Sequence, residues 1–322
     1  MSLAQVGGEE LSRSFLSLVE SGRSRISLRA LAIVAERLDT PISHFLQDED
    51  VLRARELGLE YAEVELEKGN AVECIKTIEA EEAYAGDARA QWLRGRAYAH
   101  MEDEARAGTI LRNAARLAPS EVDPNLAAEI LYSLGRTLYN SSSYEEAIET
   151  WRTGLALVLH GPSNPALQAR FHIVIGHMLY VQNQPAQAIQ QYERAQELYG
   201  ALYDLGNVGS VFSAMSLASR KSGDLDAALK YSKQSVAAFR LKRDWKLVAR
   251  ELNNMAMRYQ ERGELETASE RAEEAVERAH EIGATDIEAH SRGTLALIRF
   301  QRGDMDGAQR EAIVAEELAG KD

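Results

Sequence analysis

The stretch RELNNMAMRYQERGELETASERAEEA, Arg250–Ala275, decides the fold. Ala256 is a small residue inside an amphipathic run, Gly263 follows seven residues on, and Ala268 falls twelve after Ala256. The same arrangement returns along the chain at Ala62, Gly95, Gly135, Gly176, Ser216, Ala256 and Ala296, in steps of 33, 40, 41, 40, 40 and 40 by subtraction. The second small position follows each time at Cys74, Ala107, Ala147, Ala188, Ala228, Ala268 and Ala308. Small side chains at a fixed offset let two helices cross closely. A period of this length is the signature of stacked helical hairpins.

Working outward, the composition fits an all-α chain. Of 322 residues 45% are hydrophobic, enough for a core, and six are proline. Val, Ile and Thr never gather into alternating runs, so no sheet is expected. The single cysteine, Cys74, excludes an intramolecular disulfide and a cysteine-based zinc cluster. Its place in a small-residue slot points to packing. The N-terminus has charges and glycines where a secretory signal would have an apolar core. The longest apolar run, Phe171–Val181, is interrupted by His172 and His177 and is too short to span a bilayer. A cytoplasmic protein with no membrane partner is expected. The net charge is −13, from 37 basic and 50 acidic residues, so contact with DNA would need a local patch.

Residues 1–50 read differently from the repeats. Ser12 is placed to cap a helix from Arg13 to Glu20, with Gly22 at its end. A second helix is expected from Leu28 to Leu38, broken at Asp39-Thr40-Pro41, with a last helical turn over Ile42–Leu46. The segment LSRSFLSLVESGRSRISLRALAIVAERLDTPISHFL, Leu11–Leu46, resembles the second half of a Cro/repressor-type helix-turn-helix domain. Ser12, Phe15, Leu16, Val19, Glu20, Gly22, Arg23, Ser27, Leu28, Leu31, Ala35, Leu38 and Phe45 carry the resemblance. It implies a DNA-binding surface of Ser12, Arg13, Ser14, Ser17, Arg23 and Arg25, in which Arg13, Ser14 and Ser17 meet base edges in the major groove and Arg23 and Arg25 reach phosphates. The family's first helix has no counterpart here, so the head is expected to be truncated or degenerate. Residues 1–46 carry five basic and five acidic side chains, which gives little nonspecific attraction to DNA.

The repeats resemble tetratricopeptide repeats. Leu134, Gly135, Tyr144, Ala147 and Trp151 show the pattern in one copy; Leu252, Ala256, Tyr259, Gly263, Ala268 and Ala275 show it in another. The resemblance implies a right-handed superhelix of about seven hairpins over residues 51–322, following a partial helix-turn-helix over residues 1–50. It also implies a groove lined by the first helix of each hairpin, at positions six and three before the small residue and one, four and five after it. Counted there, Arg89, Arg96, Arg136, Arg170, Arg220, Lys221 and Arg250 oppose two acids, Glu129 and Glu261. Trp92, Tyr132, Tyr139, Asn140, His177 and Asn253 add aromatic and polar groups. A basic groove in an acidic chain suits a carboxylate-bearing ligand, because guanidinium presents a fork of donors.

A Cro-type head fused to forty-residue repeats resembles the bacterial peptide-pheromone-sensing regulators, the Rgg, Rap, NprR, PlcR and PrgX group. That likeness implies a homodimeric transcription regulator in which a short peptide or protein tail in the groove controls DNA binding. It further implies that Asn253 and Asn140 hold the peptide backbone. The alternative is an adaptor whose head no longer binds DNA. No phosphate loop, dinucleotide glycine pattern or His-Glu-x-x-His is present. The seven histidines are scattered. No catalytic residue, metal site or cofactor is expected.

Overall fold

Short polar side chains start the helices. Asp87, Asp103, Asp123, Asn164, Asp204, Asp224, Asp244 and Asp304 each accept a hydrogen bond from the backbone N–H three residues on. A cap of this kind is worth about 1 kcal/mol. Pro124, Pro165 and Pro185 sit in first turns, where a missing N–H costs nothing.

A computed structural model describes residues 6–7, 11–20, 26, 28–38, 40, 48–118, 120 and 122–320. Among these residues every regular element is helical. The sixteen α-helices are α1 (Arg13–Glu20), α2 (Leu28–Arg37), α3 (Asp48–Glu67), α4 (Ala71–Glu79), α5 (Ala88–His100), α6 (Glu104–Leu117), α7 (Pro124–Asn140), α8 (Tyr144–His160), α9 (Pro165–Val181), α10 (Pro185–Ala201), α11 (Leu205–Lys221), α12 (Leu225–Lys242), α13 (Trp245–Glu261), α14 (Leu265–Glu281), α15 (Thr285–Gln301) and α16 (Met305–Ala319). A short 3-10 helix, Glu82–Gly86, lies between α4 and α5. The expected helix over Leu28–Leu38 is seen as Leu28–Arg37. The expected break at Asp39 and Pro41 and the turn over 42–46 lie outside the described residues.

The chain forms two compact units, Met1–Glu102 and Asp103–Asp322. In the first, Val6, Leu16 and Val34 make a small core with Leu11, Phe15, Ile26 and Leu38 around it. Arg37 donates to the Val6 carbonyl at 3.1 Å. Cys74 is fully buried, and burial pushes its thiol up to about 11, which leaves it inert.

In the second unit the hairpins α7/α8, α9/α10, α11/α12, α13/α14 and α15/α16 stack in chain order. The small-residue pairs mark their crossings. A Cβ on Gly135 would stand 2.2 Å from Nε1 of Trp151, and one on Gly176 2.5 Å from the Tyr192 ring. Ser216 uses the same space differently: its hydroxyl donates to the Ala228 carbonyl at 2.7 Å, joining the twelve-residue pair directly. The turns within hairpins use a left-handed residue, Ser142, Asn183, Gly223, Gly263 and Gly303 in order. The connections between hairpins do likewise at Tyr203, Arg243 and Gly283, with φ of 55°, 59° and 67°. Tyrosine and arginine there cost about 1 kcal/mol relative to glycine.

An ion-pair network closes the last hairpins. Arg292 donates to Glu288 at 2.8 Å and to Glu311 at 2.7 Å, while Arg299 reaches Glu311 and Glu273, both at 3.2 Å. Burial raises the pKa of the Glu288 carboxyl, but hydrogen bonds from Arg292 and His280 overcome it and hold the group below 4.5.

Two outcomes follow from these contacts. Gly135→Val is expected to lose about 2–3 kcal/mol by overpacking. Gly293→Ala, where a Cβ meets nothing within 4 Å, is expected to gain about 0.5–1 kcal/mol. Urea midpoints decide both. The Glu288 network gives stability that is present above the unfolded carboxylate pKa and is lost as pH falls through the depressed folded value. Melting temperature in wild type should therefore fall below pH 4.5 more steeply than in Glu288→Gln.

Candidate functional site

Two surfaces carry the expected chemistry. On the head, Ser12 accepts from the Phe15 N–H at 3.2 Å, so its hydroxyl is spent partly on capping α1. Ser14 lies 3.2 Å from Ser12, and Arg13, Ser14 and Ser17 are exposed on that helix. Arg23 and Arg25 lie outside the described residues.

The second surface is the face carried by the first helix of each hairpin. In the first unit Arg89 donates to Glu63 at 2.6 Å, and the Arg96 guanidinium sits 4.7 Å over the largely buried Trp92 ring. In the second unit Arg170 of α9 donates to Glu129 of α7 at 2.7 Å and lies 4.0 Å over the Tyr132 ring. Arg220 of α11 donates to Glu261 of α13 at 2.8 Å. Lys221 donates to the Tyr180 carbonyl of α9 at 2.7 Å. Asn140 donates to Glu104 at 2.7 Å, and Tyr139 packs on Tyr144 and Trp151. His177 is exposed and forms a T-shaped pair with Tyr192, 5.7 Å between ring centroids. Loss of water around the imidazole lowers its pKa, so it is neutral at physiological pH.

Arg136 and Arg250 are exposed and make no hydrogen bond or ion pair among the described residues. Of the row of like charges read from the sequence, Arg89, Arg170 and Arg220 are therefore paired with carboxylates, Lys221 meets a carbonyl, Arg96 stacks on a ring, and Arg136 and Arg250 stand free among the described residues. The pairing stays hidden in a count because the partners lie 26 to 41 residues away.

Asn253 was expected on the groove surface, but it is only 2% exposed, and its Oδ1 has no hydrogen-bond partner. The same helix also carries a buried polar seam that the sequence reading passed over. Glu251 of α13, 1% exposed, accepts from Ser213 at 2.7 Å, Ser232 at 2.8 Å and Asn254 at 3.1 Å. Arg258, two turns on, is 4% exposed, and burial lowers its pKa. A signal did exist. The positions of Glu251 and Arg258 hold Phe171 and Met178 in α9 and Val211 and Ala218 in α11, so charges interrupt two apolar columns.

The fold is the tetratricopeptide type found in several solved proteins. The signal-transduction ATPase with a tetratricopeptide-repeat sensor from Pyrococcus horikoshii superposes with a TM-score of 0.71 at 16% identity, over 98% of this chain and 45% of that one. The apo form of RapI gives 0.71 at 12% identity, over 83% and 77% of the two chains. PlcR from Bacillus thuringiensis, solved with the peptide PapR7 and DNA, gives 0.50 at 15% identity, over 76% and 90%. Identities this low speak for the fold alone. No protein-family model and no curated protein sequence matches the chain. No helix among the described residues is long and apolar enough to cross a membrane, and none of their side chains group as a metal site.

Removing one member of a buried charged cluster strands the rest, whereas a surface pair is screened by water. Glu251→Ala is expected to cost about 3 kcal/mol, and Arg220→Ala under about 1 kcal/mol, in urea unfolding.

Proposed function

We propose that the chain is a DNA-binding transcription regulator whose repeats bind a short peptide or protein tail and thereby control DNA binding. Residues 1–50 form the head and residues 51–322 the ligand domain, in a cytoplasmic homodimer that is not an enzyme. The observation that carries this reading is Arg136 and Arg250, exposed guanidinium groups with no hydrogen bond or ion pair among the described residues, on a helix face where Arg89, Arg170 and Arg220 are each paired with a carboxylate. A free guanidinium on an otherwise paired face is a ready partner for an acidic group. Exposed Arg13, Ser14 and Ser17 on a capped helix support the head's role. The fold shared with PlcR, which is crystallised with a peptide and DNA, supports the combination by analogy.

The test is a gel shift with DNA from upstream of the chain's own gene, at about 50 mM salt, with and without a peptide library. Binding should fall at least tenfold in Arg13→Ala and change when a peptide occupies the repeats, and light scattering should read two copies. No shift under any of these conditions sinks the regulator reading. Retained capture of a protein tail would then mark an adaptor.

A further inference from the structure

One row of positions on the groove face has a composition that a charge count cannot show. The residue directly after the small position is Arg136 in α7, His177 in α9, Leu217 in α11, Met257 in α13 and Leu297 in α15. All five are exposed. The last three are apolar, at 37%, 36% and 51% exposure, and Phe300, one turn after Leu297, is 54% exposed.

Bonds between the helices hold this row in register. Ser213–Glu251 and Arg220–Glu261 tie α11 to α13 on either side of Leu217 and Met257. Gln260 donates to Gln301 at 3.0 Å, tying α13 to α15 just beyond Met257 and Leu297. Leu217, Met257 and Leu297, the apolar rail, therefore follow one another on neighbouring helices. Single exposed apolar side chains are ordinary, but an aligned series on one face marks a contact surface.

The geometry points to one occupant, a linear peptide in polyproline II conformation, with an apolar side chain at every third residue and an acidic end. This rests on the groove reading above and names the ligand's character. α13 and α15 pack directly on each other, and packed helices stand about 8–10 Å apart. A polyproline II chain has three residues per turn and rises about 3.1 Å per residue, so every third side chain returns to the same face after about 9 Å. A β-strand repeats after about 7 Å and drifts out of step within two helices. An α-helix meets the spacing only at every seventh residue, about 10.5 Å, and offers one anchor per two turns. Charge complementarity fixes the remaining feature. Arg136 stands free at the polar end of the row, and Arg250, two turns before Met257, is free beside its apolar part. The acidic end of the peptide lies at Arg136, about 12 residues from the anchor on Leu297 by the same rise.

Fluorescein-labelled thirteen-residue peptides test this by anisotropy on the full chain. They are rich in proline, carry leucine at every third or every second position, and have two glutamates at the amino or the carboxyl end. One of the every-third peptides should bind at least tenfold tighter than its every-second counterpart. Leu217→Glu and Met257→Glu should each weaken it at least tenfold with unchanged helical circular dichroism, and Met257→Leu should restore it. Arg136→Ala should weaken it several-fold and flatten its salt dependence. Absence of binding, equal binding of both spacings, or unchanged affinity in the rail variants overturns the rail. If only the rail variants are silent while Arg136→Ala weakens binding, the groove reading stands; if Arg136→Ala is silent too, that reading falls as well.

Discussion

Everything in the repeat body depends on a shortage of space. Where the two helices of a hairpin cross, backbone and aromatic side chains approach so closely that one methyl group has no room, as at Gly135 against Trp151 and Gly176 against Tyr192. That approach sets the angle of each hairpin and hence the face it shows its neighbour. A hairpin alone leaves its second face wet, so the stack is the smallest unit that buries its apolar surface. The buried residues at the second small position, Ala147, Ala188, Ala228 and Ala268, are the other half of the same constraint.

This constraint is why the fold was legible. Close crossings leave a one-letter trace, Gly, Ala or Ser, at a fixed offset, and the trace repeats because the contact repeats. The helix starts were equally readable, since Asp and Asn act locally on the next turn. The candidate site was legible only in part. Arg136 and Arg170 look alike in a list of basic positions, yet one is free and the other is held by Glu129 and stacked on Tyr132. Asn253 occupies a groove offset, but its side chain is buried. Leu217, Met257 and Leu297 escaped because the expected signal was charge, and apolar residues on helices are read by default as core.

Electrostatics on the helix face works through partial neutralisation. Arg170–Glu129 and Arg220–Glu261 remove opposite charges in pairs, so the field outside the face is set by the residues left over. Two free guanidinium groups among satisfied neighbours discriminate better between ligands than a uniformly basic wall would, because position then matters as well as sign. The same pairs bridge successive hairpins and so serve register as well as charge.

The serine-lined seam around Glu251 has a thermal consequence. Elsewhere the interfaces between hairpins are built from side chains such as Phe171 and Met178, whose hydration on exposure raises the heat capacity. Ser213, Ser216, Ser232 and Glu251 expose polar surface, which contributes with the opposite sign. The seam adjoins the apolar cluster of Leu229, Phe239, Val248 and Leu252, and its polar groups make the heat-capacity change of opening there smaller than an all-apolar junction would give. The stability of that junction varies more gently with temperature than that of its neighbours, so the weakest interface in the stack can change place between cold and warm conditions.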